Sequence, residues 1–485
     1  MTTPPRTGKK SFDRAIVDGP IAVAVWALAW PTMIQNVING FQGIVDHALV
    51  GRFVGYTGNA AIGVSLQIFI VVIVFLMSLF TGMSVLVARF AGANEPEKVN
   101  RTVYQAFIAS FALCVGILAP FGWFVAPWLL RLVNASAEVR AEALPYLRIM
   151  FVFSFGMMLF FMIATALRAA GDARTPLRLG LALTVLNVAF NVVFIRGLGP
   201  IPAFRTAGAA IGATLAGAIV TAYGMYLFFS GRLVVSWHRD MSWRPDWTII
   251  RALFRFGLPT GVQGIAMNIG GILLLRFIGS LEHSAQAQAA YAIGYTELFS
   301  LITWTSVGLL GAAATVAGQN LGAGRPDRSV QGVHVAAWIG VGLAAFVGTL
   351  FLTIPERLLA LFGMHDPIVL GIGKQLLAFL SISGMFVTVA LTFTGGLQGT
   401  GDTRSPLYIS IISQIGIPLG LCAILSATRG LVATDIWLAI LLGHATRCVL
   451  SVLRFRQGKW RSIRLELEPA TAARAGPSRP SGASD

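Results

Sequence analysis

Charge is what this sequence has least of. Asp, Glu, Lys and Arg make up 12% of its 485 residues, against 56% apolar. That is too little to wet the surface of a soluble chain of this size. Acids are scarcer still, 20 against 36 basic residues, for a net charge of +16. Nucleic-acid binding is excluded as the meaning of that excess, because the basic residues punctuate apolar runs instead of clustering beside a soluble fold. There are three cysteines, Cys114, Cys422 and Cys448, all inside apolar stretches without paired or metal-ligand spacing. Neither a disulfide framework nor a zinc site is supported. The six histidines are scattered, and there is no His-Glu-Xaa-Xaa-His, Gly-Xaa-Ser-Xaa-Gly or phosphate-cradling Gly-Lys-Ser/Thr loop, which leaves an intramembrane enzyme as the weakest class and disfavours a nucleotide-driven pump.

What the sequence has is about twelve apolar segments, each long enough to cross a bilayer as a helix. They fall near 21–48, 60–87, 103–130, 143–167, 177–197, 207–229, 249–275, 286–315, 331–354, 368–395, 406–428 and 433–455. The expected fold is therefore an all-α membrane protein of twelve transmembrane helices. The first apolar segment follows Arg6, Lys9, Lys10 and Arg14 and outruns a signal peptide's core, so it reads as an uncleaved span. With the N-terminus inside, 26 of the 36 basic residues fall on the inner side, which places both termini in the cytoplasm of a multi-pass protein of the cell (inner) membrane.

The chain repeats itself. Leu-Arg-Ala-Ala-Gly-Asp-Ala-Arg-Thr-Pro-Leu at 167–177 returns as Leu-Gln-Gly-Thr-Gly-Asp-Thr-Arg-Ser-Pro-Leu at 397–407, an offset of 230. Gly92, Ala93 and Pro96 return as Gly322, Ala323 and Pro326, and Pro31 and Thr32 return as Pro259 and Thr260 at 228. Ordered landmarks at one period mean duplication. The expected units are a cytoplasmic segment 1–20, a six-helix lobe 21–229, a cytoplasmic loop 230–248, a second six-helix lobe 249–456 and a disordered tail 457–485. Six spans is an even number, so the two bundles enter the membrane the same way and are pseudo-symmetric about an axis along the membrane normal, the parallel-repeat architecture of transporters. In the repeated loops Asp172 with Arg174 and Asp402 with Arg404 read as caps and turns, with cytoplasmic gating as the alternative. Gly171 and Gly401 suit the left-handed residue after a helix, and Pro176 and Pro406 the first turn of the next. Pro31 and Pro259 lie inside their spans, where a missing backbone donor bends a helix, and are either static kinks or the candidate hinges.

Span one is unusually polar. Gln35, Asn39, Gln42 and Asp46 fall at i, i+4, i+7 and i+11, a stripe about 60° wide at 100° per residue. Four such groups are not turned to lipid, so the stripe faces the bundle interior or a water-filled cavity. Asp46 is the candidate proton carrier. Asn187 and Asn191 in span five share a face and are candidates to complete a hydrogen-bonded network with it, with interhelical amide contact as the alternative. Gln35, Asn39 and Gln42, with Gln263 and Met267 of span seven, are the candidate lining of a substrate cavity.

The ordered Gly-Asp-Xaa-Arg-Xaa-Pro loops resemble a known family. So do Thr-Val-Ala-Gly-Gln-Asn-Leu-Gly-Ala-Gly at 315–324, the proline and Val-Asp of span one and Asn-Xaa-Xaa-Xaa-Asn in span five. All four are similar to the multidrug and toxic compound extrusion (MATE) family, over roughly residues 15–455. The resemblance implies a two-lobed antiporter that exports organic cations or other amphiphiles in exchange for H⁺ or Na⁺ by alternating access, with no cofactor beyond the coupling ion. The expected partners are small cationic or amphiphilic substrates and the lipid bilayer, and the expected state is a monomer. Some proton-coupled members have an aspartate at the position of Asn191. The acids that mark the sodium-coupled branch in spans seven and ten are missing here, which favours H⁺. Glu297 in span eight, where an acid is common in the family, is the alternative coupling residue. A lipid-linked precursor flippase of the wider superfamily is the alternative function.

Overall fold

The computed structural model describes residues 12, 14–133, 135–236 and 244–464. The leading cations Arg6, Lys9 and Lys10, part of the loop near Arg239 and the tail from 465 lie outside the described residues. Eleven helices are long and apolar enough to cross a membrane, or twelve when one bent pair counts as a single span. The first lobe comprises α1 (Ile21–Phe53), α2 (Tyr56–Gly92), α3 (Pro96–Leu132), α4 (Ala137–Val152 with Ser154–Ala169), α5 (Arg174–Arg196) and α6 (Arg205–Phe229). The second comprises α7 (Trp247–Gly279), α8 (Ser284–Gly322), α9 (Pro326–Thr353), α10 (Pro367–Thr400), α11 (Arg404–Thr428) and α12 (Ala433–Arg456).

The observed helices run longer than the apolar runs, because polar turns continue them past the greasy core. The span expected as one rod over 143–167 is instead α4, broken at Phe153 and bent by 51°. Ser154 explains part of the break: its hydroxyl donates to the Phe151 carbonyl at 2.8 Å, a short-range bond that competes with the helix ladder. The repeat is visible in the turns. Gly171 and Gly401 take φ of +103° and +100°. Asp172 then accepts from the backbone N–H of Arg174 and Thr175, and Asp402 accepts from that of Ser405. Asp402 also receives Arg454 from α12 at 2.9 Å, whereas Arg174 and Arg404 are exposed. Helices α1 and α7 run unbroken through Pro31 and Pro259.

A pseudo-two-fold relation joins the lobes. A side chain at Gly92 of α2 would strike the Gln319 carbonyl oxygen at 1.9 Å, and one at Gly322 of α8 would strike that of Arg89 at 2.0 Å. Both partners are displaced by the same 230 residues, so α2 and α8 cross backbone to backbone at equivalent glycines. The relation recurs deeper in the membrane, where Gly261 of α7 abuts Ser78 of α2 and Gly308 of α8 abuts Met33 of α1.

The Gly92–Gly322 crossing lies on the side that carries the termini, and the flanking segments thicken that end. Residues 15–18 form a helical turn with Ile16 and Val17 buried. Arg325 donates to the Val17 carbonyl at 2.9 Å and Arg328 to that of Gly19 at 2.6 Å. The inter-lobe loop is bound at both described edges: Ser236 N–H donates to Asn100, and Arg101 pairs with Asp246, the N-cap of α7. Disorder was expected from residue 457, but the first turn of that tail is ordered. Trp460 is buried, stacks on Phe455 at 5.0 Å and donates its indole N–H to the Phe455 carbonyl at 2.8 Å. Trp460→Ala is expected to cost about 3 kcal/mol, read as a lower unfolding midpoint of the purified protein in detergent.

Candidate coupling site

The polar stripe of α1 meets a matching stripe on α5. Gly180, Thr184, Asn187 and Asn191 repeat the i, i+4, i+7, i+11 spacing of Gln35, Asn39, Gln42 and Asp46. The helices run parallel and in register. A Cβ on Gly180 would lie 2.0 Å from Gln35 Oε1, Thr184 donates to Gln42 Oε1 at 2.9 Å, and Asn191 Nδ2 donates to Asp46 Oδ1 at 2.7 Å. Asn191 Nδ2 also reaches Asn187 Oδ1 at 3.1 Å, and Gln35 donates to Asn39 at 2.9 Å. The structure thus brings Asp46, Asn187 and Asn191 into one network.

Its depth is graded. Asn187 and Asn191 are buried, Asp46 and Gln42 half-buried, and Asn39 exposed. Asp46 therefore has one side held by the lobe and one side open, the placement needed by a group that must exchange with water. Two further residues shape the site. Gly212 of α6 leaves the room that the Asn191 amide fills, since a Cβ there would lie 2.1 Å from Asn191 Oδ1. Tyr146 of α4 is buried close enough to feel the carboxylate's charge. Gly180 and Thr184 were legible as the upstream half of the α5 stripe. Gly212 and Tyr146 carry no sequence signal, because only the packing of α4 and α6 places them.

The second lobe keeps the scaffold without the acid. Positions displaced by 228 from the α1 stripe are Gln263, Met267, Gly270 and Leu274. Gln263 is buried and donates to Ser410 Oγ at 2.7 Å, Ser410 being displaced by 230 from Gly180. Gln263 thus faces α11 within its lobe, and Met267 is half-buried. Glu297 is exposed, on a π-helical stretch of α8 (Ala292–Leu298) that packs on α10 inside the second lobe. The structure does not bring it to Asp46. His47 is also exposed, 3.3 Å from Asn59.

Between the lobes lies a largely apolar cavity of about 240 Å³, whose polar lining comes from Thr32, Asn36, Ser84 and Arg168 of the first lobe and Thr315 and Gln398 of the second. Asn36 donates across the divide to the Trp304 carbonyl at 3.0 Å. Beyond it α1 has open space beside Gly40 and Gly43, and α7 beside Gly271. The lobes are sealed on the terminus side by the α2–α8 crossing. A larger crevice, about 480 Å³, lies between α5 and α6 within the first lobe and is lined by Arg178, Tyr223 and Arg232. It is lateral to the path between the lobes.

The MatE family model matches residues 31–193 and 259–424, one match to each lobe. The chain is 26% identical over 438 residues to a probable multidrug resistance protein NorM of Thermotoga maritima, covering 89% of this chain and 92% of that one. It is 25% identical over 446 residues to the multidrug resistance protein MdtK of Pectobacterium atrosepticum, covering 89% and 94%. Among solved structures, a multidrug resistance MATE family transporter in an outward-facing conformation superposes with a TM-score of 0.85 at 21% identity, covering 94% of this chain and 100% of that one.

Proposed function

This chain belongs to the MatE (multidrug and toxic compound extrusion) family of membrane transporters, and we propose that it exports organic cations or amphiphiles in exchange for H⁺, with Asp46 as the group that carries the proton. The termini lie in the cytoplasm of the inner membrane, so the sealed side is the inner one and the form described above opens outward. A single chain suffices, because the substrate path runs between its own two lobes. The chain acts as a transporter and not an enzyme.

The observation that carries this reading is the Asp46–Asn191 bond. It fixes a half-buried carboxylate between α1 and α5. A proton gradient biases two conformations only through a group that binds the proton differently in each. When Asp46 is charged it attracts a cationic substrate and accepts from Asn191. When it is protonated from the outer side it loses the attraction, substrate leaves, and α1 repacks on α5. The return to the inward-open form releases the proton to the cytoplasm. Asn36, Gln398 and Thr315 line the cavity through which the substrate passes, whereas Gln35 and Gln42, expected to line it, face α5 inside the first lobe.

Na⁺ coupling is the second reading, and one atom favours it. Asn191 Oδ1 is buried and accepts no hydrogen bond, so it is an oxygen that a small cation next to Asp46 would use. The two readings separate in proteoliposomes loaded with a fluorescent organic cation. Under an imposed pH difference with Na⁺ absent, uptake against the cation's gradient is expected. Uptake that appears only when a Na⁺ gradient is supplied would transfer the coupling to Na⁺.

A further inference from the structure

The second lobe holds a buried group of hydrogen-bond donors that the transport scheme leaves unused. It lies on one face of α12, where Trp437, His444 and Ser451 repeat at intervals of seven and Arg447 stands three residues beyond His444. All four are buried, with exposures of 0, 4, 8 and 0% for Trp437, His444, Arg447 and Ser451. Trp437 Nε1, both ring nitrogens of His444, Arg447 Nε and Ser451 Oγ all lack a hydrogen-bond partner. Arg447 counts by sequence as an inner-end cation, yet it sits more than two turns inside its helix.

Two neighbouring helices complete the enclosure. Tyr295 of α8 stacks on His444 with ring centroids 6.5 Å apart, Tyr291 stacks on Tyr295 at 4.9 Å and on Trp437 at 6.2 Å, and Phe299 lies 6.0 Å from His444. Arg447 lies within electrostatic reach of both His444 and Tyr295. Tyr295 belongs to the π-helical stretch of α8, and the π-helical turn of α11 (Ile412–Gly416) packs against α12 and carries Gln414, whose buried Nε2 is also unpartnered. Such bulges are frequent where a helix is shaped around a functional site.

The chemistry of the set is one-sided. Arginine and tryptophan donate only, and histidine always has at least one donor. Among the described residues no carboxylate pairs with Arg447. The acids of the second-lobe spans are Glu297, which is exposed, and Asp327 and Asp435 in first turns, and Asp435 is engaged by Arg429 at 2.6 Å. A buried guanidinium without a counter-charge is strongly unfavourable, so something negative belongs there. We propose that this face of α12 binds a small monovalent anion, a halide or the carboxylate of a small solute, between Arg447 and His444.

The test uses the purified full-length protein in detergent. Sodium chloride, sodium bromide or sodium formate is titrated into sodium sulfate at constant ionic strength, while the unfolding midpoint and tryptophan fluorescence are followed. The expected result is a saturating rise in the midpoint with chloride and bromide, with formate, or with all three, and a half-saturation concentration at least tenfold higher in Arg447→Gln. A halide-only response assigns the ligand as a halide, and a formate response extends it to carboxylates. A midpoint indifferent to every anion overturns the proposal, and so does an unchanged half-saturation in the variant. Should Arg447→Gln fail to fold, crystals of the unaltered protein grown in bromide and, separately, in formate decide. An anomalous bromide peak or formate density beside Arg447 supports the site, and water alone at that position in both overturns it.

Discussion

Asp46→Asn is expected to abolish accumulation of an organic cation driven by a pH difference while leaving the fold intact. The replacement is nearly isosteric and keeps an oxygen able to accept from Asn191, so the α1–α5 contact survives. On the proposed mechanism it removes the group whose proton occupancy differs between conformations. A difference of two pH units is worth about 2.7 kcal/mol per proton, enough in one-for-one exchange to sustain a concentration ratio of about a hundred. In the variant that ratio is expected to fall to about one, with passive equilibration down the cation's own gradient retained. The measurement is the steady-state ratio in proteoliposomes with matched protein content. Undiminished accumulation would remove Asp46 from the mechanism and return attention to Glu297.

The second large effect is expected at Gly322→Val. A Cβ at this position falls 2.0 Å from the Arg89 carbonyl oxygen, and a backbone atom in the middle of a crossing cannot rotate away. Overpacking of well-packed sites costs roughly 1–3 kcal/mol, and a backbone clash belongs at the upper end. At about 1.4 kcal/mol per tenfold, such a cost shifts the equilibrium away from the sealed form by about a hundredfold. Spin labels at Glu97→Cys and Arg404→Cys, exposed on the terminus side of opposite lobes, report the separation. The distance is expected to lengthen in Gly322→Val, and by the repeat in Gly92→Val as well. An unchanged distance with normal transport would show that the α2–α8 crossing does not open.

Much of this architecture is legible in the sequence, for identifiable reasons. Spans are legible because a bilayer demands long apolar helices, and the duplication because Gly92 and Gly322, or Asp172 and Asp402, are held by backbone geometry that tolerates few alternatives. The α1 stripe is legible because four polar groups at helical spacing have no other place in lipid. The break in α4 is not, since a serine bonding back to its own helix looks the same in sequence whether or not the helix yields. Arg447 is not legible either: an arginine about two and a half turns from a helix end reads as an inner-end cation, and only the approach of α8 and α11 encloses it. Charge counting places a residue along the membrane normal but says nothing about which way it points around the helix.

The two equivalent glutamines, Gln35 and Gln263, are not equally content. Gln263 has a hydroxyl to bond on α11, whereas Gln35 lies against the bare backbone of Gly180, and its carbonyl oxygen has no donor. Sliding α7 over α11 therefore breaks a bond, while sliding α1 over α5 at the same level breaks none and offers that oxygen a chance to find a donor. Further along, Thr184–Gln42 and Asn191–Asp46 tie α1 to α5, so the slack in the first lobe is confined to the level of Gln35 and the outer half of that helix pair moves as one.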